Sequence, residues 1–335
     1  MGKVFGFIDS TRQSYWEARE RETLALIDTR TGKVFEHLTH RVDCPVCRTD
    51  DAVPVFDKEG FDFVKCRHCG LLYVNPQLRP DLVDQVYEQT NTATAWISLQ
   101  QGQKELEWNA RNKYRPALEA LAALRPAGGR LLDVGCSTGQ FMTMSLEFGW
   151  SPQGVELNLD AARIAREDQG LTVHTRKLED LDFQKGEFDL ITLWGVIEHL
   201  SDPNEMLARV RGLLAHNGLL LCFVPNGHSL IIRLSREHNS TVSGPFHIWY
   251  FTPRTLENIL NANGFRKREE FSILPQIHEI IHFLQYNTLY REPEMACEEE
   301  LDLTPGDRAW LEDFITRRKL GYKLITIAEK RPDAR

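Results

Sequence analysis

The segment that most constrains this chain is Leu131-Leu132-Asp133-Val134-Gly135-Cys136-Ser137-Thr138-Gly139-Gln140-Phe141, an apolar run that ends in a glycine-containing turn and opens a helical pattern. Glycine there lets a ligand approach the backbone, and the helix N-terminus offers free N–H groups to a carboxylate or phosphate. About 20 residues on, Gly154-Val155-Glu156-Leu157-Asn158 puts an acidic side chain at the end of another apolar run, where one carboxylate can accept from both hydroxyls of a ribose. By spacing alone the turn suits a nicotinamide or flavin dinucleotide as well as another nucleoside.

Around this segment, strand-like and helix-like stretches alternate after the Pro126-Ala127-Gly128-Gly129 cluster. Arg130 to Gly135 is followed by Gln140 to Glu147, Pro152 to Leu157 by Ala161 to Glu167, then Leu171 to Arg176 and Phe188 to Trp194. A helix near Asn204 to Leu214, the run Leu219 to Val224, a helix near Arg254 to Ala262, and strands near Arg266 to Ile273 and Lys323 to Glu329 complete the series. Such alternation predicts an α/β fold with a doubly wound, mainly parallel sheet. The chain has 335 residues, 42% hydrophobic and 26% charged, enough for this domain plus smaller elements.

Ahead of it, Cys44-Pro45-Val46-Cys47 and Cys66-Arg67-His68-Cys69-Gly70 are separated by 18 residues with short alternating segments such as Phe61-Asp62-Phe63-Val64-Lys65. Two Cys-x-x-Cys knuckles bring four thiolates to one tetrahedral Zn²⁺, and a full set of four with no open position predicts a structural ion. Nothing in the sequence reads as a secretory signal, so metal is expected before disulfides, and Cys136, Cys222 and Cys297 lie scattered. Basic Arg41, Arg48, Lys58, Lys65, Arg67 and Arg79 are matched by acidic Asp43, Asp50, Asp51, Asp57, Glu59 and Asp62, which makes the ribbon a poor phosphate binder. A net charge of -8 points the same way, against a nucleic-acid partner. No apolar run approaches the roughly 20 residues of a membrane span, so the expectation is a cytoplasmic protein without membrane contact.

The expected organisation is a segment 1–40 of unassigned role, a zinc ribbon over 41–80, a helical lid or linker over 81–125, and a domain over 126–335 with an insertion at about 226–252. In 1–40, Tyr15 to Ile27 reads as an amphipathic helix and Thr29 to Lys33 as a hairpin turn. Tyr15, Trp16, Leu24 and Leu26 read as packing on the chain's own core more readily than as a homodimer contact.

Taken together, these motifs resemble class I S-adenosylmethionine-dependent methyltransferases, in which Asp-x-Gly-x-x-x-Gly follows the first strand and an acid follows the second. The resemblance extends through Leu178-Glu179-Asp180-Leu181-Asp182-Phe183, the run Phe188 to Leu200, and His247-Ile248-Trp249-Tyr250-Phe251-Thr252-Pro253, and covers roughly residues 110 to 270. It implies the seven-stranded class I sheet and S-adenosylmethionine as cofactor. Asp133, Gly135 and Gly139 would then shape the methionine pocket, Glu156 would bind the ribose, Leu178 and Glu179 would flank adenine, Trp194 would lie against the cofactor, and Cys136, Phe141 and Leu157 would belong to the same cofactor site. Ser137 stands where many relatives carry a third glycine. Four motifs in the expected order disfavour a dehydrogenase.

Methyl transfer is an in-line displacement, so the protein must align an acceptor and, for a hydroxyl or amine, remove its proton. Candidate bases are His199, after the fourth strand, and His247, in the insertion; each also reads as a structural histidine tying a loop. Tyr250 and His228 are weaker candidates, and Tyr87, Trp96, Trp108 and Tyr114 read either as pocket walls or as helix packing. Glu198-His199 is similar to the Glu-x-x-Glu-His metal motif of ubiquinone-pathway and small-RNA-capping methyltransferases, but Gly195 stands where the first glutamate would be, so a catalytic Mg²⁺ is not expected. A ribbon before such a domain is similar to bacterial sugar and natural-product methyltransferases. Only about 60 residues follow Ile273, fewer than the C-terminal domain of sugar C-methyltransferases requires, which favours O- or N-methylation of a small polar metabolite. Two other readings stay open: an RNA or protein acceptor with the ribbon as docking module, and a non-catalytic S-adenosylmethionine-binding protein.

Overall fold

Apolar runs bounded by glycine, such as Phe188–Trp194 between Gly186 and Gly195, become strands because both faces of a parallel sheet are covered and every position can be apolar. The computed structural model describes residues 10–83, 91–239, 241–286 and 303–332; Tyr87 and Cys297 lie outside them. In chain order the strands are β1 (Ile27–Asp28), β2 (Lys33–Val34), β3 (Thr39–His40), β4 (Ala52–Lys58), β5 (Phe61–Cys66), β6 (Leu72–Val74), β7 (Gln77–Leu78), β8 (Gly129–Val134), β9 (Trp150–Val155), β10 (Thr172–His174), β11 (Phe188–Trp194), β12 (Leu214–Pro225), β13 (Trp249–Tyr250), β14 (Phe265–Ile273) and β15 (Lys323–Lys330). The chain divides into two compact units, one from Met1–Leu78, Pro225–Pro253 and Phe271–Leu324, the other from Arg79–Val224, Arg254–Glu270 and Ile325–Arg335.

The second unit is built on a seven-stranded sheet of order β10-β9-β8-β11-β12-β15-β14, the doubly wound class I arrangement. From β10 to β12 all neighbours are parallel. Asp133 pairs in register with Gly154 on one side and Thr192 on the other, so β8, β9 and β11 end level and present Asp133, Glu156 and Trp194 along one edge. Leu131, Leu132, Leu190, Ile191, Leu220 and Leu221 are fully buried. Each contributes about 1.5–3 kcal/mol of transfer free energy. The helix Arg115–Leu124 buries Ala117, Leu118 and Leu121, at i, i+1 and i+4. Leu159–Glu167 starts where the Asn158 side chain accepts from Asp160 and Ala161 N–H, both at 3.1 Å, and Pro203–Leu213 is capped in the same way by Asp202.

In the first unit, β4 and β5 form a hairpin whose two turn residues, Glu59 and Gly60, both have positive φ (53° and 78°), the type I′ geometry whose twist matches the strands. A Cβ at residue 60 would stand 2.4 Å from Ile27 Cδ1, which explains the glycine. The sheet order is β13-β6-β5-β4, and its fully buried side chains include Phe61, Phe63, Tyr73, Trp249 and Tyr250. The ribbon sheet therefore recruits a strand from Pro225–Pro253, a stretch the sequence pattern groups with the large domain, because Trp249 pairs with Tyr73 and Tyr250 with Leu72. The helix Ser10–Leu24 and the β1–β2 hairpin, turning at Gly32, belong to the same unit. No described helix is long and apolar enough to cross a membrane.

Candidate active site

The turn after β8 is held against the end of β9. Gly135 and Cys136 N–H both donate to Val155 carbonyl (2.7 and 3.1 Å), and Gly139 N–H donates to Cys136 carbonyl (3.0 Å). Gly135, Ser137 and Gly139 all have positive φ, 74°, 49° and 83°, so Ser137 adopts a left-handed conformation that glycine would take at lower cost. A Cβ on residue 135 would meet Val196 Cγ2 at 2.8 Å, and one on residue 139 would meet Leu171 Cδ1 at 2.5 Å. The Cys136 side chain points into the core among Met142, Ala162, Ala165 and Val173, so this residue presents only its backbone to the turn.

Glu156 sits at the exit of β9 with its two oxygens divided: Oε2 accepts from Ser137 N–H (2.9 Å) and Oε1 from Asn158 N–H (2.8 Å). Burial pushes its carboxyl up and these backbone donors pull it back. Asp133, 1% exposed, accepts a 2.6 Å hydrogen bond from Thr192 Oγ1. Desolvation raises its carboxyl to about 7, opposed by Thr192 and by the positive charge of Lys113. Two acids thus flank the turn, one poised near neutrality.

Above the ends of β11 and β12 stands an aromatic cluster. Trp194 meets Tyr114 edge-on at 5.0 Å between centroids, Phe141 at 4.9 Å and Phe223 at 5.2 Å. The Lys113 ammonium lies over it, 4.7 Å from the Tyr114 and Phe223 centroids and 5.3 Å from Trp194, within cation–π range. Lys113 and Tyr114 come from a π-helical turn, Ala110–Tyr114, whose wider winding directs two consecutive side chains to one cluster. Sequence reasoning singles out Tyr114 but misses Lys113, since a cation in a helical stretch reads as a solvated face. Leu178 is buried on a 3-10 turn whose Glu179 is exposed, and Leu157 is half-buried after Glu156.

Among the histidines, His199 closes the 3-10 turn Ile197–His199, its Nε2 4.0 Å from Oε1 of the fully buried Glu198. In the first unit His247 Nδ1 lies 3.0 Å from Thr241 carbonyl and its ring meets Tyr250 edge-on at 6.3 Å. Tyr250 is fully buried, its hydroxyl accepting from Ser243 N–H (2.9 Å), and burial lowers the basicity of His228. Trp96 and Trp108 are more than one-third exposed.

The four ribbon cysteines converge. Sγ atoms pair at 3.4 Å, Cys44 with Cys69 and Cys47 with Cys66, and all four lie within 4.8 Å of one another. The knuckles share one turn: Arg48 N–H donates to Cys44 carbonyl (2.8 Å) and Gly70 N–H to Cys66 carbonyl (3.0 Å), with φ of 58° and 81°. A tetrahedron with Zn–S of about 2.3 Å has S···S edges of about 3.8 Å, inside this range, so the donor set fits Zn²⁺. His68, more than half exposed beside Asp51, is not in the cluster.

Residues 106–270 match the family model described as a methyltransferase domain. The strand order above is that of the class I methyltransferase fold. Among curated proteins, the chain is similar to a ubiquinone biosynthesis O-methyltransferase of Cereibacter sphaeroides, 35% identical over 104 residues that span 30% of this chain and 42% of that one. It is also similar to the protein of the same name from Roseobacter denitrificans, 29% identical over 156 residues, 43% of this chain and 63% of that one. The chain thus spans less than two thirds of the length of these relatives. A solved structure of Burkholderia thailandensis 1,6-didemethyltoxoflavin-N1-methyltransferase, with 1,6-didemethyltoxoflavin and S-adenosylhomocysteine bound, aligns with 83% of this chain and 99% of its own at 16% identity and a TM-score of 0.49.

Proposed function

We propose that the chain is an S-adenosylmethionine-dependent methyltransferase that transfers a methyl group to an oxygen or nitrogen of a small polar metabolite, such as a sugar or natural-product intermediate. The observation that carries this reading is the Glu156 carboxylate, locked by Ser137 and Asn158 N–H at the end of β9 beside the turn Gly135–Gly139. That geometry suits a nucleoside: Glu156 accepts from the ribose hydroxyls while the turn admits the rest of the molecule to its backbone. Asp133 offers an acid for an α-ammonium, and Lys113 a cation for a carboxylate, the two charges of a methionine moiety. S-adenosylmethionine supplies a methyl carbon activated on a sulfonium sulfur.

The protein's own part is alignment and proton removal. Tyr114, Phe141, Trp194 and Phe223 make an apolar wall that excludes water around the reacting atoms. A histidine accepts the acceptor's proton, and His199, backed by the buried Glu198, suits that role because a carboxylate stabilises the imidazolium that forms. His247 is the second candidate. Leu178 and Glu179 would flank adenine, and the four cysteines would hold a structural Zn²⁺. The test is His199→Ala: turnover of accepted substrates should fall more than 100-fold while S-adenosylhomocysteine affinity changes less than threefold. Equal loss of both would make His199 structural. Purified chain that binds S-adenosylmethionine but methylates no oxygen or nitrogen acceptor would leave only a binding protein.

A further inference from the structure

The stretch Pro225–Pro253 leaves β12 and runs to the start of the helix Pro253–Ala262, yet its later part folds as a piece of the cysteine ribbon. β13 is an edge strand whose partner is β6, with Trp249 opposite Tyr73 and Tyr250 opposite Leu72, and Val74 N–H donates to Ile248 carbonyl at 3.0 Å. β6 begins three residues after Cys69, and its other neighbour, β5, ends on Cys66 itself. The knuckle closes this pair of strands: Cys66 N–H donates to Leu71 carbonyl at 2.9 Å.

Polar contacts continue the attachment. Ser243 Oγ donates to Glu59 Oε2 (3.0 Å), and Glu59 Oε1 meets Arg19 Nη2 (3.3 Å), whose guanidinium lies between the Trp16 and Phe246 rings at 4.9 and 5.4 Å. Lys58 Nζ donates to Asn239 carbonyl and Arg236 Nη2 to Val55 carbonyl, while a Cβ at residue 244 would strike the Phe61 ring at 2.3 Å. His247 sits inside this span, with Nδ1 on Thr241 carbonyl. A short strand with one neighbour has little stability of its own and takes its order from that neighbour.

We infer that the cysteine ribbon is a positioning element for residues 241–250, so that loading of Cys44, Cys47, Cys66 and Cys69 with Zn²⁺ fixes where His247 stands. A Zn²⁺ bound by all four thiols ties the Cys44–Cys47 knuckle to the Cys66–Cys69 turn that joins β5 to β6; without that cross-link the turn loosens β5 from β6 and leaves β13 without an ordered partner. The ribbon then governs the part of the chain assigned to the acceptor while the nucleoside turn in the other unit is left alone. This inference rests on the proposed function only in giving His247 an acceptor role; the structural coupling stands without it.

The test is hydrogen exchange on the full chain, zinc-loaded and after chelation, with zinc content measured by a colorimetric chelator. Peptides covering 241–250 should exchange at least 10-fold faster without zinc, while peptides covering 188–194 keep their protection and S-adenosylhomocysteine binds within threefold of the loaded protein. Unchanged exchange at 241–250 in protein shown to be zinc-free overturns the proposal. So does loss of protection throughout, since zinc would then hold the whole fold. Ser243→Ala, which removes the hydroxyl that donates to Glu59 in the β4–β5 turn, keeps the metal in place: it should speed exchange at 241–250 with 61–66 unchanged, and an unaffected 241–250 also counts against the coupling. Failure of the zinc-loaded protein to bind S-adenosylhomocysteine would refute the methyltransferase reading and leave the exchange result intact.

Discussion

Replacing Glu156 by glutamine keeps its shape and removes its charge. In the wild type each carboxylate oxygen accepts one backbone N–H, Ser137 at 2.9 Å and Asn158 at 2.8 Å. An amide has a single acceptor oxygen, so its NH₂ must face one of these donors: one charge-assisted bond disappears and the other becomes neutral. Charge-assisted bonds are worth about 1.5–3 kcal/mol and neutral ones about 0.5–1.5 kcal/mol. The turn therefore loses about 3 kcal/mol of stability, readable in the urea midpoint. The same change at the ribose, from two charge-assisted acceptors to one neutral acceptor, costs about 3 kcal/mol, or roughly 150-fold in Kd for S-adenosylhomocysteine. Calorimetric titration of both proteins at a urea-free, fully folded temperature separates affinity from stability. Glu156→Gln binding S-adenosylhomocysteine within threefold of wild type would refute the assignment of the carboxylate to the ribose.

Asp133 predicts a pH dependence. Its buried carboxyl, raised to about 7, keeps a proton that the unfolded chain releases near pH 4, so the folded state binds more protons and stability falls as pH rises from about 4 to about 7. Asp133→Asn should flatten that slope in urea titrations at pH 5 and pH 8, and in wild type S-adenosylhomocysteine affinity should rise between pH 6 and pH 8 as Asp133 ionises; parallel slopes for both proteins would contradict this. Gly139→Ala imposes a side chain at φ 83° and 2.5 Å from Leu171 Cδ1, and should cost about 2–4 kcal/mol by chemical denaturation, a change under about 0.5 kcal/mol being inconsistent with the packing described. Lys113→Met keeps the stem on the aromatic cluster and deletes the charge, so S-adenosylhomocysteine should weaken about 10-fold while adenosine binding is unchanged; equal effects on both would place Lys113 away from the carboxylate.

Much of the fold is legible in the sequence because parallel strands announce themselves as apolar runs cut by glycine. Phe188–Trp194 shows the same limits in sequence and structure, and Asp133, Glu156 and Trp194 fall on one sheet edge as the spacing of the runs implies. β12 extends back to Leu214, past Asn217 and Gly218, because Leu214 pairs with Phe188 before a register shift that local sequence does not encode. The helix Ile277–Tyr286 carries Ile277, Ile280, Ile281 and Leu284 at helical spacing, and Pro305–Arg317 starts on a Thr304–Asp307 capping box, yet neither bears on the nucleoside motifs. Long-range partners are what spacing hides. Lys113 reaches the site only through a π-helical turn, Cys136 turns its thiol into the core because Gly154 leaves room for it, and β13 joins a sheet begun almost two hundred residues earlier.

The most direct measurement is equilibrium binding of radiolabelled S-adenosylmethionine to the zinc-loaded chain, with unlabelled S-adenosylhomocysteine and nicotinamide adenine dinucleotide as competitors. One saturable site per chain is expected, displaced by S-adenosylhomocysteine and indifferent to the dinucleotide. Absence of saturable binding, or displacement by the dinucleotide alone, would contradict it.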